Sequence, residues 1–203
     1  MRPVYITKTA SFLPNEPVPN SEIETFLGMI GGKPSKAQHL ILRNNQIKTR
    51  YYALDKEQNI THTAYDMAIR AIEKLYGDGI GADTVELVAA GTTSQEMIMP
   101  SHAVQIHGEM GGNKNIEVVS FAGSCCSGVH ALKYGYLSVA SGEKKNAVAL
   151  ASERLSAWMK SSYFKEEYES LSKLIDDPII AFEKDFLRFM LSDGAGAVLL
   201  KDE

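Results

Sequence analysis

Cys125 and Cys126 are the only cysteines in the chain, and they are adjacent. A thiol can act as a nucleophile, a metal ligand or a redox partner. Neighbouring residues rarely reach relaxed disulfide geometry, so the pair makes a poor structural staple. Glu117-Val118-Val119-Ser120-Phe121, before the thiols, is a short β-branched and apolar run. Ala122 to Gly128 are all small, and apolar residues then recur at helical spacing at Val129, Leu132, Tyr136, Leu137 and Ala140. Strand, tight turn and helix in that order set a thiol at a helix N-terminus. Unpaired N–H groups and the helix dipole favour a thiolate there. His130, four residues after Cys126, falls on the same helical face, so the spacing also allows a local Cys–His dyad. A third reading has two inert thiols packing a helix against a sheet. A redox pair of Cys125 with Cys126 is a further, strained alternative.

The rest of the chain offers less chemistry. His62, His102 and His107 read as helix-start or helix-surface residues. No pair of His, Cys or carboxylate residues has metal-ligand spacing, and no cofactor is implied. Gly194-Ala195-Gly196 lacks the following Lys and helix start of a phosphate loop. The 203 residues carry a formal net charge of -4 without a basic stripe, which argues against nucleic-acid binding. No apolar run approaches a membrane span and the start carries no signal-peptide pattern, so no membrane role is expected. Two unpaired cysteines fit a reducing, cytoplasmic setting.

Positioning the cysteine turn requires a scaffold, and strands and helices alternate along the chain. Strands are expected at Val4–Ile6, 87–93, 117–121, 146–153 and 194–200. Helices are expected from Ser21 to Ile30, from Pro34 to Asn45, from Thr61 or Thr63 to Tyr76, from Pro100 to Met110, and from the cysteine turn to Gly142. Ile47 to Tyr52 reads as a short strand or extended arm. Residues 154–188 read as an excursion with one or two helices, including Ser161 to Leu174. The class is α/β: a five-stranded, mostly parallel sheet with helices on both faces, in one domain spanning 1–203.

Five segments in this order resemble the thiolase superfamily, and β-ketoacyl-acyl carrier protein synthase III within it. They are Ser11-Phe12-Leu13-Pro14; Ile47-Lys48-Thr49-Arg50; Gly91-Thr92-Thr93-Ser94 with Met99-Pro100-Ser101; Cys126-Ser127-Gly128; and Ser192-Asp193-Gly194-Ala195-Gly196-Ala197. Gln46 stands where that family's glycine is expected before Ile47. The resemblance covers the N-terminal half of such enzymes. It implies a thiolase-like half whose complement, with the catalytic His and Asn, lies outside this sequence.

The resemblance implies that Cys126 is the nucleophile, and that it attacks an acyl thioester. It implies substrate-binding roles for Arg43, Arg50, Thr93 and Met99. The two arginines would form part of a cationic mouth for the phosphates of coenzyme A or of a carrier protein. Met99 would reach across a homodimer to floor the partner's acyl pocket. The expected donors are acyl-coenzyme A or acyl-acyl carrier protein, and the expected extender is malonyl-acyl carrier protein. The family's adenine-stacking aromatic is replaced by the neighbourhood Gln38-His39-Leu40, which points to carrier-bound or longer acyl donors. A related alternative is an enzyme of secondary metabolism that joins β-ketoacyl units. A rival is a non-catalytic half that pairs with a complementary chain. The surfaces that meet a second half in the family are expected to drive self-association of this chain.

Overall fold

The computed structural model describes residues 1–166 and 185–203. They divide into two compact units, one made of 1–13, 63–153 and 194–203, the other of 14–62 and 154–193. The first unit holds the sheet and the cysteine turn.

Among the described residues, the first unit has a five-stranded sheet in the order β1-β7-β6-β4-β5. The strands are β1 (Tyr5–Phe12), β4 (Leu87–Thr92), β5 (Glu117–Ala122), β6 (Asn146–Glu153) and β7 (Gly194–Lys201). β4 runs parallel to both β5 and β6, whereas β7 runs antiparallel to β6 and β1. The sheet is therefore mixed, with the parallel pairs gathered around β4. β4 is buried along its whole length, which matches its run of Leu, Val, Ala and Gly. β1 extends past the expected Val4–Ile6 to Phe12. Its polar Thr7, Lys8 and Thr9 are compatible with strand pairing because β1 lies at the sheet edge with only β7 beside it.

Among the described residues, three helices cover this sheet. α3 (Ala64–Glu73) and α4 (His102–Met110) pack together on one face, and α5 (Ser127–Ala140) lies on the other, against β4 to β7. α3 starts where the sequence places it: the Thr63 hydroxyl accepts the Asp66 N–H and the Asp66 carboxylate accepts the Thr63 N–H. Its apolar stripe, Ala64, Met67, Ala68, Ala71 and Ile72, is buried. Under α5, Leu87, Val139, Ala147, Ala149 and Leu200 form a core cluster.

The second unit contains β2 (Val18–Pro19) and β3 (Thr49–Arg50), which pair antiparallel, with α1 (Ile23–Leu27) and α2 (Gln38–Asn45). α1 ends at Leu27, before the expected Ile30, because Gly28 turns the chain with φ 76°. Val18, Ile23, Leu27, Ile41, Tyr52, Leu54 and Phe189 form its core. Asp193 is buried within this unit and accepts hydrogen bonds from the Ala53 N–H (2.7 Å), the Ser156 N–H (2.9 Å) and the Ser156 hydroxyl. Burial, working against those hydrogen bonds, raises its carboxyl above the ordinary range. Of the expected helix from Ser161 to Leu174, Ser161–Phe164 forms a 3-10 turn, and the portion from 167 lies outside the described residues.

Candidate active site

The chain leaves β5 at Ala122 and turns through Gly123 (φ 140°) and Ser124 (φ 54°). Ser124 to Cys126 form a 3-10 turn that runs directly into α5, so Cys126 is the residue that caps the helix. The strand–turn–helix order read from the sequence is present, and it brings the thiol to the carboxyl edge of the parallel strands. Both thiols are free and exposed. They are therefore not the buried packing residues of the inert reading. His130 is exposed too, and its ring packs at a tilt on Phe121, centroid to centroid 6.4 Å. Among the described residues no hydrogen bond joins it to Cys126, so the local dyad does not form.

Thr93 and Met99 lie on the loop that links β4 to α4, at the same edge of the sheet. That loop is held from three strands. The Glu153 carboxylate, at the end of β6, accepts the N–H of Thr93 (2.7 Å), the N–H of Ser94 (3.1 Å) and the Ser94 hydroxyl (2.8 Å). The Ser120 hydroxyl of β5 accepts the Ala103 N–H at 2.8 Å and donates to the Ser101 hydroxyl at 3.0 Å. At the base of α4 the His102 Nε2 meets the Ser152 hydroxyl of β6 at 2.8 Å. Thr92 Oγ1 of β4 accepts the Ser94 N–H at 3.1 Å. Between these anchors the Glu96 carboxylate accepts the Ala64 N–H at 2.6 Å, an anion at the start of α3. What protrudes is an apolar tip: Met97, Ile98 and Met99 are 48%, 84% and 79% exposed. The Met99–Pro100 bond is cis.

His102 differs from its helix-surface reading. It opens α4 but is only 2% exposed, and burial lowers its pKa to about 4, which keeps the imidazole neutral. Sequence reasoning missed Glu153, Ser120 and Ser152 as loop anchors. The available signal was a polar residue at the carboxyl end of each apolar strand run, where backbone N–H groups of the next loop need acceptors.

Arg43 and Arg50 belong to the second unit. Arg43 is exposed and lines an open depression of about 410 Å³ together with Asn20, Ser21, Gln38, His39 and Leu42. Arg50 is 1% exposed. Its guanidinium donates to the Asn20 side chain at 2.6 Å and to the Phe189 carbonyl. Arg50 is therefore enclosed as a bridge between segments of its own unit, whereas a phosphate-binding mouth needs a group that faces solvent. Among the described residues, no three His, Cys, Asp or Glu side chains are grouped to hold a metal ion, and no helix is long and apolar enough to cross a membrane.

Comparison with known proteins places this geometry. The family model described as "Beta-ketoacyl synthase, N-terminal domain" matches residues 82–203. Beta-ketoacyl-[acyl-carrier-protein] synthase III from Chlorobaculum tepidum is 24% identical over 196 residues, which cover 97% of this chain and 50% of the relative. The structure of the tetronic acid condensing enzyme AbyA1 superposes with a TM-score of 0.75 at 22% identity, over 98% of this chain and 55% of that one. A 3-oxoacyl-(acyl-carrier-protein) synthase III superposes with a TM-score of 0.70 at 21% identity, over 100% of this chain and 51% of that one. The chain thus spans about half the length of the relatives it matches.

Proposed function

The chain belongs to the beta-ketoacyl synthase family, matching its N-terminal domain over 82–203, and from that premise we propose that it is an acyltransferase half-enzyme with Cys126 as nucleophile. The carrying observation is the exposed thiol of Cys126 at the N-terminus of α5, on the sheet edge that also bears Thr93. The Cys126 thiolate attacks the carbonyl carbon of an acyl thioester. The tetrahedral intermediate expels the donor thiolate, which takes up a proton, and the acyl group stays on Cys126. The backbone N–H of Cys126 is assigned to the developing oxyanion. In a complete enzyme the acyl group then passes to a malonyl-carrier thioester with loss of carbon dioxide. This chain by itself is assigned the acylation step alone.

Carrier-bound or longer acyl donors are preferred over acetyl-coenzyme A. The depression beside Arg43 is lined by Gln38, His39 and Leu42, with no Phe, Tyr or Trp among its lining residues for an adenine to stack on. The likeness to a tetronic acid condensing enzyme supports a variant of this reading, in which the complete enzyme serves secondary metabolism. The functional assembly is a homodimer: β5 is an edge strand with one neighbour, and the exposed Met97–Met99 tip stands at the carboxyl end of the same sheet. Met99 is assigned to the floor of the partner's acyl pocket.

Mass spectrometry with peptide mapping tests the proposal, after incubation with acyl-coenzyme A and with acyl-acyl carrier protein. The expected result is one acyl adduct on Cys126 that is absent from Cys126→Ala and retained in Cys125→Ala. No adduct from either donor, even with a complementary C-terminal half supplied, would leave the non-catalytic pairing role in its place.

A further inference from the structure

We infer that Gly91 is a positioning residue for Cys126: it sets the depth at which the first turn of α5 rests on the sheet. The inference rests on the acyl-transfer reading for what the depth is used for, but its geometry stands independently. A Cβ on Gly91 would lie 2.4 Å from the Ser127 carbonyl carbon, 2.5 Å from the Ser127 oxygen and 2.6 Å from the Gly128 nitrogen. All three are backbone atoms, which cannot rotate aside as a side-chain end can. The contact repeats one strand over. A Cβ on Gly128 would meet the Ala151 Cβ at 2.7 Å, and Ala151 is the residue paired with Gly91 across β4 and β6.

Gly91 and Ala151 thus form a flat two-strand seat, and Gly128 keeps the helix flat where it sits. The turn that occupies the seat is the one that follows Cys126 directly. Ordinary contact begins near 3.4 Å, so a methyl group on Gly91 must lift the Ser127 peptide by 3.4 − 2.4, or about 1 Å. By α-helical pairing, one step after the Cys126 carbonyl opens the α5 ladder, the Ser127 carbonyl accepts the Ala131 N–H. Lifting it disturbs that bond and moves the attached thiol relative to Thr93 and the loop held by Glu153. A misplacement of about 1 Å at a reacting atom costs on the order of 100-fold in rate. Gly135, about two turns further along the same sheet-facing side of α5, gives the internal comparison. Its Cβ would meet the end of the flexible Leu200 side chain at 3.0 Å, far from the turn.

The experiment compares Gly91→Ala with Gly135→Ala in the full chain, both checked for folding by circular dichroism. Three readouts are taken. Amide exchange at Ala131 is expected to accelerate at least tenfold in Gly91→Ala and to stay at the wild-type rate in Gly135→Ala. Alkylation of Cys126 by iodoacetamide, mapped by mass spectrometry, is expected to depart from wild type by at least threefold only in Gly91→Ala. Acylation of Cys126 by acyl-acyl carrier protein is expected to lose at least tenfold in maximal rate, with the half-saturating donor concentration unchanged. Unchanged exchange at Ala131 overturns the seat. Accelerated exchange with wild-type alkylation and acylation overturns the positioning role. If wild-type protein accepts no acyl group, the acyl-transfer reading fails, and exchange and alkylation still decide the role of Gly91. If Gly91→Ala does not fold, Gly128→Ala, which presses on the same seat from the helix side, is measured in its place with the same criteria.

Discussion

Lowering the pH should destabilise this protein through one side chain. His102 is 2% exposed and burial depresses its pKa to about 4, against an ordinary value of 6.5. In the unfolded chain it titrates near the ordinary value. As pH falls, the unfolded state therefore binds the proton first. The stability contributed by neutral His102 is fully present above about pH 6.5 and is lost progressively towards about pH 4. A pKa fall from 6.5 to about 4, at about 1.4 kcal/mol per pH unit, corresponds to about 3 kcal/mol when the whole window is crossed. About 2 kcal/mol of that falls between pH 7 and pH 5 by the same linkage. The assay is urea unfolding followed by circular dichroism at both pH values, in wild type and in His102→Gln. Glutamine keeps a polar amide for Ser152 and does not titrate. Wild type should lose about 2 kcal/mol more than the variant between pH 7 and pH 5. The His102 ring resonances should show no protonation over the same range in the native protein. Equal pH slopes for the two proteins, or ring titration near pH 6.5, would refute the reasoning.

Asp193 titrates in the opposite sense. Its folded pKa is raised by burial, so its contribution is present below the ordinary carboxylate value and lost as pH rises through the raised one. Asp193→Asn should therefore gain on wild type as pH rises from about 4, by thermal melts at stepped pH. Asp193→Ala leaves the Ala53 and Ser156 N–H groups and the Ser156 hydroxyl without their acceptor, and should cost about 3–5 kcal/mol in urea unfolding. Glu153→Ala should accelerate amide exchange at Thr93 and Ser94 at least tenfold, while Glu153→Gln, which keeps one oxygen acceptor, should do so less. Wild-type exchange in Glu153→Ala would show the loop held by other contacts. The outer face of α5 exposes Val129 (65%), Tyr136 (42%) and Leu137 (45%), next to a depression of about 340 Å³ lined mostly by Val4 and by apolar residues of β1, β7 and α5. It should drive concentration-dependent self-association in sedimentation. Tyr136→Glu with Leu137→Glu should remove this association and leave the homodimer, and an unshifted profile would place the contact elsewhere.

Much of the fold was legible because its strands are either wholly apolar or end in marked turns. Leu87 to Thr92 and Asn146 to Glu153 could be read from apolar runs, and α3 from a stripe that begins at a capping box. The sequence shows only the start of β1 because its exposed residues follow no apolar run: an edge strand with solvent on one side accepts Thr and Lys. The antiparallel placement of β7 was not legible either. Pairing direction depends on where a connection returns the chain, and the long segment before β7 has no periodicity that fixes its path.

The site divides along the same physical line. The cysteine turn could be placed from sequence because its position follows from local order alone: strand, small residues, helix. The choice of Cys126 over Cys125 rests on the resemblance of Cys126-Ser127-Gly128 to the family's turn. Arg50 and His102 could not be placed, because burial is a property of what packs around a residue. A charged or titratable side chain in a short polar segment looks like surface until its partners are known. Arg50 is held by Asn20 and a carbonyl of Phe189, more than a hundred residues away in sequence, and His102 by Ser152. The anchors that aim the Met97–Met99 loop are equally non-local, with Glu153 reaching back across 60 residues to Thr93. The place of Cys126 is specified by its neighbours in the chain. The loop that works beside it is specified by neighbours in the sheet, at the carboxyl ends of β4, β5 and β6. Substitutions at Glu153, Ser120 and Ser152 should therefore alter the loop and leave the cysteine turn intact, whereas Gly91 is the point at which the sheet bears on Cys126 itself.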